Sequence, residues 1–576
     1  MTTPLAERRW IGWAIAALVV AVYLPTLAFG FIGYDDHWLW SDDSPLRALD
    51  GETLKHIWLE LDARSRHDIG TEYLPVRDML VALDMTFWRT SEHGPHITQL
   101  GLYALTVVGL GNLLVRFHMR RDLAWLATLL WALHPLHVES VAWLSERKGI
   151  LAGLFVVATG HAWVRYRASL RARWLVVAAA CAVAGTWSKA PAMFAPAIFA
   201  TWDVLLIPEP RRRLRTIVVV NAAAILAAIP VIIVALGGGI VDGEFSPPPD
   251  GRITACVGAL GHYALGILGV RAPAIAYPIQ TSGAAGFELA LGAAVIAATL
   301  ALAAWRGEGR RWRLATLAWA ALAYLPISHL VTRVHIAVAD RYVYLLLLAP
   351  CIGAAWLALR LRGIVRTLAI AGLALALALA TLRAQKPWSS SESLYERALR
   401  SSPGDSGAAL SLAELLYTRN DVPAALAVVE RSLRSSPSDP YLIGRRAELL
   451  EHLGRVPEAL EAARRAAESG HASLTWRYAQ LLARHGDPAR ALAFAEHAAQ
   501  RRPEVPQYAW TRIQILVALG QLDDAQRAGE ALVLAHPGSA SHLVLARVLD
   551  ARGDHGAAEA QRAIAASVYG VIEVGR

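Results

Sequence analysis

Apolar runs of about 20 residues, the length at which a helix crosses a bilayer, recur from Trp10 to Leu382 and then stop. A soluble domain cannot bury so many, and in lipid every backbone N–H and C=O needs a partner within the protein, which leaves helices as the fold. The last third of the chain is rich in Ala, Arg and Glu at helical spacing and reads as a separate soluble part. Over 576 residues, 55% hydrophobic against 18% charged is too apolar for a soluble chain. The expected fold class is all-α: a polytopic helical bundle over 1–385, then an α-solenoid over 386–576. The 20 Trp residues suit long bilayer interfaces.

The net charge of +9 does not indicate a nucleic-acid partner, because the basic residues form short clusters between apolar runs, the pattern of cytoplasmic loops. Arg8 and Arg9 place the N-terminus inside, ahead of a first run read as a retained anchor. The clusters at Arg116 to Arg121, Arg165 to Arg173, Arg211 to Arg215, Arg306 to Arg313 and Arg360 to Arg366 all face the cytoplasm with about eleven spans. These are 10–30, 97–117, 122–138, 149–166, 174–188, 191–207, 215–236, 286–305, 314–330, 341–358 and 364–382. Ile253 to Val270 then stays on the outer side as a surface or re-entrant helix. The chain is expected to be a multi-pass protein of the inner (plasma) membrane, with its long polar loops and its C-terminal part on the extracytoplasmic side. Gly237-Gly238-Gly239 and Ser246-Pro247-Pro248-Pro249 break the second long loop, which serves either as a moving segment beside a site or as a connector. Cys181, Cys256 and Cys351 are scattered and give neither a disulfide framework nor a zinc site.

From about Lys386 the chain repeats with a period of about 34 residues. Pro403, Pro437, Pro503 and Pro537 mark the ends of second helices, and Asn420, Gly454, Gly486, Gly520 and Gly553 mark the turn inside each pair. Ala425, Ala459, Ala491, Ala525 and Ala558 follow the turns at a fixed offset, where a small side chain lets two helices approach. The pattern resembles tetratricopeptide repeats, whose concave face takes protein partners. The alternative is that the array braces the membrane part or mediates oligomerisation.

The candidate chemistry lies in the outer segments. Asp35 and Asp36 leave the first span together, where a carboxylate at a half-dehydrated boundary can take a proton from a hydroxyl; the alternative is a pair of solvated acids. His134 and His137 with Glu139 resemble half of a metal site, although Pro135 disturbs the helix that would align them. Arg147, Lys148, Lys189, Arg333 and Arg341 stand on the outer face against the positive-inside trend. Such cations suit the phosphate of a lipid-linked leaving group, or else snorkel toward headgroups. Tyr342 and Tyr344 accompany Arg341 at the mouth of a span.

Tyr34-Asp35-Asp36, the run Leu133 to Ala142 with Glu146-Arg147-Lys148, and Ala339 to Leu345 ahead of a repeat domain resemble the transmembrane and tetratricopeptide-repeat containing O-mannosyltransferases and their bacterial relatives. Tyr73-Leu74-Pro75-Val76-Arg77, Gly94 to Thr98 and Trp187 to Pro191 support the likeness, which covers nearly the whole chain. Gly149 and Leu346 depart from it, standing where the family tends to show an acid and a proline. The resemblance implies a GT-C-like membrane fold, a polyprenyl-phosphate sugar donor and transfer to a hydroxyl on the outer face. It matches Asp35 and Asp36 to the acidic motif of the first outer loop, and Arg341 to the arginine of the later motif.

On this basis the expected function is an inverting glycosyltransferase. It moves a sugar, mannose being the family's choice, to a protein or glycan acceptor such as a Ser or Thr hydroxyl. Asp35, Asp36 or Glu139 supplies the base. Arg341, Lys148, Lys189, Arg333, Arg147 and Tyr342 bind the donor phosphate, and His37, Tyr73 and Arg77 bind the acceptor. No cofactor follows from the residues, and a divalent cation is left open. The rival readings are a lipid or polysaccharide glycosyltransferase and a non-enzymatic scaffold that organises envelope complexes through its repeats.

Overall fold

The computed structural model describes residues 10–33, 35–41, 43–62, 66, 69–89, 91–208, 213–237, 251–275, 277, 286–330 and 338–569. Among these the chain is helical with turns and loops, and it divides into two compact units, 1–401 and 402–576.

The first unit contains α1 (Trp10–Tyr23), α2 (Asp36–Leu39), α3 (Gly51–Leu59), α4 (Pro75–Trp88), α5 (His93–Arg116), α6 (Arg121–Ala132), α7 (Val138–Ala142), α8 (Arg147–Ser169) and α9 (Ala172–Thr186). It continues through α10 (Ala195–Leu206), α11 (Arg213–Gly237), α12 (Arg252–Ile267), α13 (Gly286–Ala304), α14 (Arg310–Tyr324), α15 (Leu348–Arg360), α16 (Gly363–Gln385) and α17 (Ser391–Ser401). Among the described residues, five stretches are long and apolar enough to cross a membrane: Trp10–Ala28, His93–Arg116, Arg213–Leu236, Gly286–Ala304 and Gly363–Ser389. Ala172–Thr186, Ala190–Leu206 and Leu348–Arg360 are shorter apolar helices. Leu226, Ile232, Ile233 and Leu236 on α11 and Ile364, Val365, Leu368 and Leu375 on α16 are exposed, apolar surfaces that suit lipid and not water.

The expected spans fall largely on helix, with bounds that differ most at 122–138, 314–330 and 341–358; in the second of these the α-helix ends at Tyr324, before a 3-10 turn at Leu325–Ile327. The expected 122–138 ends at Ala132, because Pro135 cannot continue the ladder. The carbonyls left free there are taken by side chains, Tyr103 Oη donating to Ala132 O at 2.9 Å and Thr381 Oγ1 to Leu133 O at 2.7 Å. The expected 341–358 opens with a 3-10 turn, Asp340–Val343, and becomes α-helical only at Leu348. Before it, the indoles of Trp131 and Trp319 donate to the carbonyls of Tyr344 (3.0 Å) and Leu345 (2.7 Å), so an irregular backbone is tolerated inside the bundle. The apolar stretch after residue 252 forms α12, which lies backbone to backbone on α13. A Cβ at Gly261 would stand 1.9 Å from Glu288 O, and one at Gly292 1.8 Å from Val257 O, so both positions require glycine. The Gly and Pro runs of the second long loop lie at or beyond the edge of the described residues.

One end of this unit is tied together by contacts distant in sequence. The Gly33 N–H donates to Ser391 Oγ at 2.8 Å, Trp143 stacks on Trp388 with centroids 6.1 Å apart, and Gln385 Nε2 donates to Val22 O at 3.1 Å. The exit of the first span and the exit of the last are therefore at the same end. These ties also keep α17 with the first unit, so the division falls after Ser401, later in the chain than 385.

The second unit is a run of helix pairs: α18 (Ser406–Thr418) with α19 (Val422–Leu433), α20 (Pro440–His452) with α21 (Val456–Ala467), and α22 (Ala472–Arg484) with α23 (Pro488–Arg501). Then follow α24 (Pro506–Ala518) with α25 (Leu522–Ala535), and α26 (Ser539–Arg552) with α27 (His555–Tyr569). Asn420 and the glycines 454, 486, 520 and 553 all have positive φ, which reverses the chain between partners. The alanines 425, 459, 491, 525 and 558 are wholly buried between paired helices. Asp405, Asp421, Asp439 and Asp487 cap helix N-termini through their side chains.

Candidate active site

The chemistry-bearing residues gather in the first unit, on the loops that follow α1, α3, α6 and α9 and on the segment before α15. Asp35 and Asp36 separate at once, since neighbours at the start of a short helix point apart. Asp36 is fully buried. Its Oδ2 accepts the Ile32 N–H at 3.0 Å, and its Oδ1 accepts the Ser145 N–H at 2.9 Å and hydroxyl at 2.6 Å. Burial pushes its carboxyl up to about 6, against the pull of Ser145. Asp36 thus ties the loop after α1 to the segment before α8. Asp35 is exposed and its carboxylate makes no capping bond. Crowding by the protein raises its carboxyl above the usual range, opposed chiefly by the Lys148 ammonium and assisted by Glu72, with Arg341 and Arg77 also in electrostatic reach.

Lys148 and Arg341 act on Asp35, and Lys189 joins Arg341 through Glu146; each of the three cations is held by a carboxylate. Lys148 Nζ donates to Glu72 Oε2 at 2.6 Å. Lys189 is ion-paired with the fully buried Glu146. Arg341 is ion-paired with Glu139, whose Oε2 also accepts the Arg341 backbone N–H at 2.8 Å. Glu146 reaches toward both, its second oxygen lying 3.8 Å from Arg341 Nε. The Arg341 guanidinium lies over the rings of Trp143 and Tyr342, 5.4 and 5.2 Å from their centroids. Burial lowers the Lys189 ammonium, with Glu146 opposing and Lys148 adding to the shift. Glu72 is held below its usual value, because Lys148 and Arg77 outweigh its own burial. Gly149 is part of this packing, since a Cβ there would stand 2.7 Å from Glu146 Oε1.

Other candidates serve as supports. Arg147 is fully buried and spends its guanidinium on Asp84, Gln99 Oε1 (3.2 Å) and Pro95 O (2.7 Å), beneath the Trp40 ring. Arg77 binds Asp78 at 2.8 Å and Ile69 O at 2.9 Å and touches Glu72 at 3.3 Å. Tyr73 donates to Trp58 O at 3.2 Å and packs under Arg66. His134 and His137 do not converge on one point. His134 Nε2 faces Ile267 O at 3.1 Å, while His137 is boxed by Trp131 and Tyr344, 4.4 and 4.8 Å away between centroids. Among the described residues no group of three or more His, Cys, Asp or Glu could hold a metal ion. Arg333 and the His37 side chain lie outside the described residues.

Sequence reasoning quoted Glu146 within a motif without giving it a role and passed over Glu72, the partners of two of the three cations. Glu72 lies beside the quoted Tyr73, and that adjacency was the available signal. Asp340, next to Arg341, is engaged by Tyr277 Oη at 2.6 Å and the Ala274 N–H at 3.2 Å, and its burial beside Glu139 raises its carboxyl well above the usual range.

The tetratricopeptide-repeat model matches residues 375–440, 445–506 and 511–568. Among solved structures, the chain is similar to YrrB, a tetratricopeptide-repeat protein with an unusual peptide-binding site (18% identity, 30% of this chain and 90% of that one, TM-score 0.26). It is also similar to a thermophilic tetratricopeptide-repeat protein of Thermus thermophilus (22% identity, 27% and 90%, TM-score 0.24). A third is an Archaeoglobus fulgidus oligosaccharyltransferase tethered to an acceptor peptide (14% identity, 67% of this chain and 56% of that one, TM-score 0.39). No curated protein matches this chain.

Proposed function

We propose that the first unit is a membrane glycosyltransferase that moves a sugar from a polyprenyl-phosphate donor to a hydroxyl acceptor on the outer face, and that the repeats bring protein partners to it. The observation that carries this reading is the juxtaposition of Asp35, an exposed carboxylate with a raised pKa, with the partly buried cations Lys148 and Arg341 from separate segments, the second of which shares Glu146 with Lys189. An acid alone, or a salt bridge alone, would be ordinary structure. An accessible base beside several cations provides the two functions that transfer from a phosphate needs.

Asp35 takes the proton of the acceptor hydroxyl as the oxygen attacks the anomeric carbon. The bond from that carbon to the phosphate oxygen breaks, and the phosphate leaves with a further negative charge. Lys148, Lys189 and Arg341 stabilise that charge, exchanging their carboxylates for phosphate oxygens. Asp36 and Arg147 brace the loops, because their polar atoms are already engaged. The acceptor class, a protein hydroxyl in the leading reading, is set by what the repeats recruit. The outer-face assignment rests on the arginine clusters between spans and on the shared end of the first and last span exits.

The test is transfer by the full chain reconstituted in vesicles, with radiolabelled polyprenyl-phosphate mannose and a serine- and threonine-containing acceptor peptide. Wild type should label the peptide, and Asp35→Asn should bind donor without labelling it. Label that enters lipid or polysaccharide and not peptide would change the acceptor. Donor binding and transfer unaffected by both Asp35→Asn and Arg341→Lys would remove the reading.

A further inference from the structure

Cations recognise the phosphate of a donor and are indifferent to the sugar. Something else has to touch the hexose, whose ring carries hydroxyls around its rim and a patch of C–H bonds on one face. Beside the charged cluster stand three aromatic rings drawn from three segments. Trp58 on α3 meets Trp187 edge to face, with centroids 5.5 Å apart and planes at 69°. Tyr73 meets the same Trp187 at 6.5 Å and 87°, and its hydroxyl donates to the Trp58 carbonyl at 3.2 Å. Tyr73 is buried, while the two indoles are half-buried and keep part of their surface open.

The cluster is anchored and is continuous with the site. Trp187 Nε1 donates to Ala227 O on α11 at 2.9 Å, which fixes that indole. Two residues on is Lys189, ion-paired with Glu146, and next to Tyr73 is Glu72, which holds Lys148. Lys189 also acts on the Glu72 carboxylate through space, so both ends of the aromatic cluster border the same charged group. Indoles whose only task was to fill a core would be covered, whereas these two keep open surface next to cations.

We propose that Trp58 and Trp187 form the sugar-facing wall of this site and set which hexose is accepted. The inference rests on the glycosyltransferase reading and adds the recognition of the sugar itself. An aromatic face packs against the C–H face of a pyranose and is sensitive to an axial hydroxyl, so it separates epimers that share the same phosphate.

Binding of polyprenyl-phosphate mannose, polyprenyl-phosphate glucose and bare polyprenyl phosphate to the full chain in detergent tests this. Wild type should bind one glycosylated lipid about 2- to 10-fold more tightly than the bare lipid, the range of one good aromatic contact. Trp58→Leu and Trp187→Leu keep bulk without a ring face and should lose that increment and level the ratio between the two sugars. Trp58→Phe and Trp187→Phe should keep much of both, and Trp305→Ala, at an exposed position on the loop after α13, should change neither. Leu and Phe variants that behave alike, or a sugar that adds no affinity in wild type, would overturn the proposal while leaving transfer intact. A wild type that binds none of the three lipids would instead sink the donor reading and this inference with it.

Discussion

Glu139 holds Arg341 at two points: one carboxylate oxygen takes the guanidinium and the other accepts the Arg341 backbone N–H at 2.8 Å. The carboxylate therefore fixes both the main chain and the charge of the segment before α15. Glu139→Gln preserves an acceptor for the N–H and removes the counter-charge from a buried guanidinium, at a cost of about 3 kcal/mol. A lowered melting temperature with unchanged helix content is the expected outcome, and unchanged melting would show that Glu146 alone suffices.

Arg341→Lys retains charge and loses the planar fork that matches a phosphate. Losing one charge-assisted hydrogen bond should weaken donor use about 10- to 100-fold. Initial rates over a range of donor concentrations measure it, and wild-type kinetics would confine Arg341 to structure.

Asp35 and Asp36 should part company by assay. Asp35→Asn should lower transfer about 100- to 10,000-fold, the usual worth of a general base, with little change in stability. Asp36→Ala strands two backbone N–H groups and a hydroxyl and should cost about 1–3 kcal/mol in stability. If Asp35→Asn transfers normally and Glu139→Gln is inactive, the base is Glu139.

The pH dependence has a defined sign. The Asp36 carboxyl sits at about 6 in the folded chain, against about 3.9 when unfolded. The folded state then binds its proton more tightly between those values. The associated stability is full below about pH 4 and is lost as pH rises to about 6, on the order of 3 kcal/mol. Asp36→Asn should flatten that part of a melting-temperature profile. The Asp35 carboxyl is also raised, so transfer should fall on acidification at a pH above the ordinary carboxylate range.

Sidedness is open to direct labelling. In intact cells an impermeant thiol reagent should modify Ser390→Cys, in the segment after the last span, and spare Arg306→Cys, in a basic cluster. Labelling of Ser390→Cys only after lysis would reverse the topology and put the site inside.

The repeats were legible in detail because each is specified by neighbours in sequence: a left-handed turn residue and, five positions on, a buried alanine recur together. Helix positions within the apolar runs were likewise local and largely readable, whereas α3 and α4 fall in the segment read as a loop. The bounds near Leu133 and Tyr344 were not readable, because the backbone there is satisfied by Thr381, Trp131 and Trp319, and no short window of sequence contains those partners. The site was half legible for the same reason. Lys148, Lys189 and Arg341 stood out as cations on the wrong face, yet Glu72 lies 76 residues from Lys148 and Glu146 lies 43 from Lys189. The different surroundings of Asp35 and Asp36 emerge only in the fold, where Ser145, 109 residues from Asp36, engages one of them.

The hydrogen bond between Gln385 and the Val22 carbonyl joins residues 363 positions apart. During synthesis the first helix enters the bilayer long before its partner exists, and Gly33 waits similarly for Ser391. Until α16 arrives, the loop that carries Asp35 lacks its clasp, so a nascent chain would hold most of its helices and no finished site. A ribosome stalled before residue 385 should therefore leave a membrane-inserted chain whose loop after α1 is still open to proteases, and release of the last span should close it.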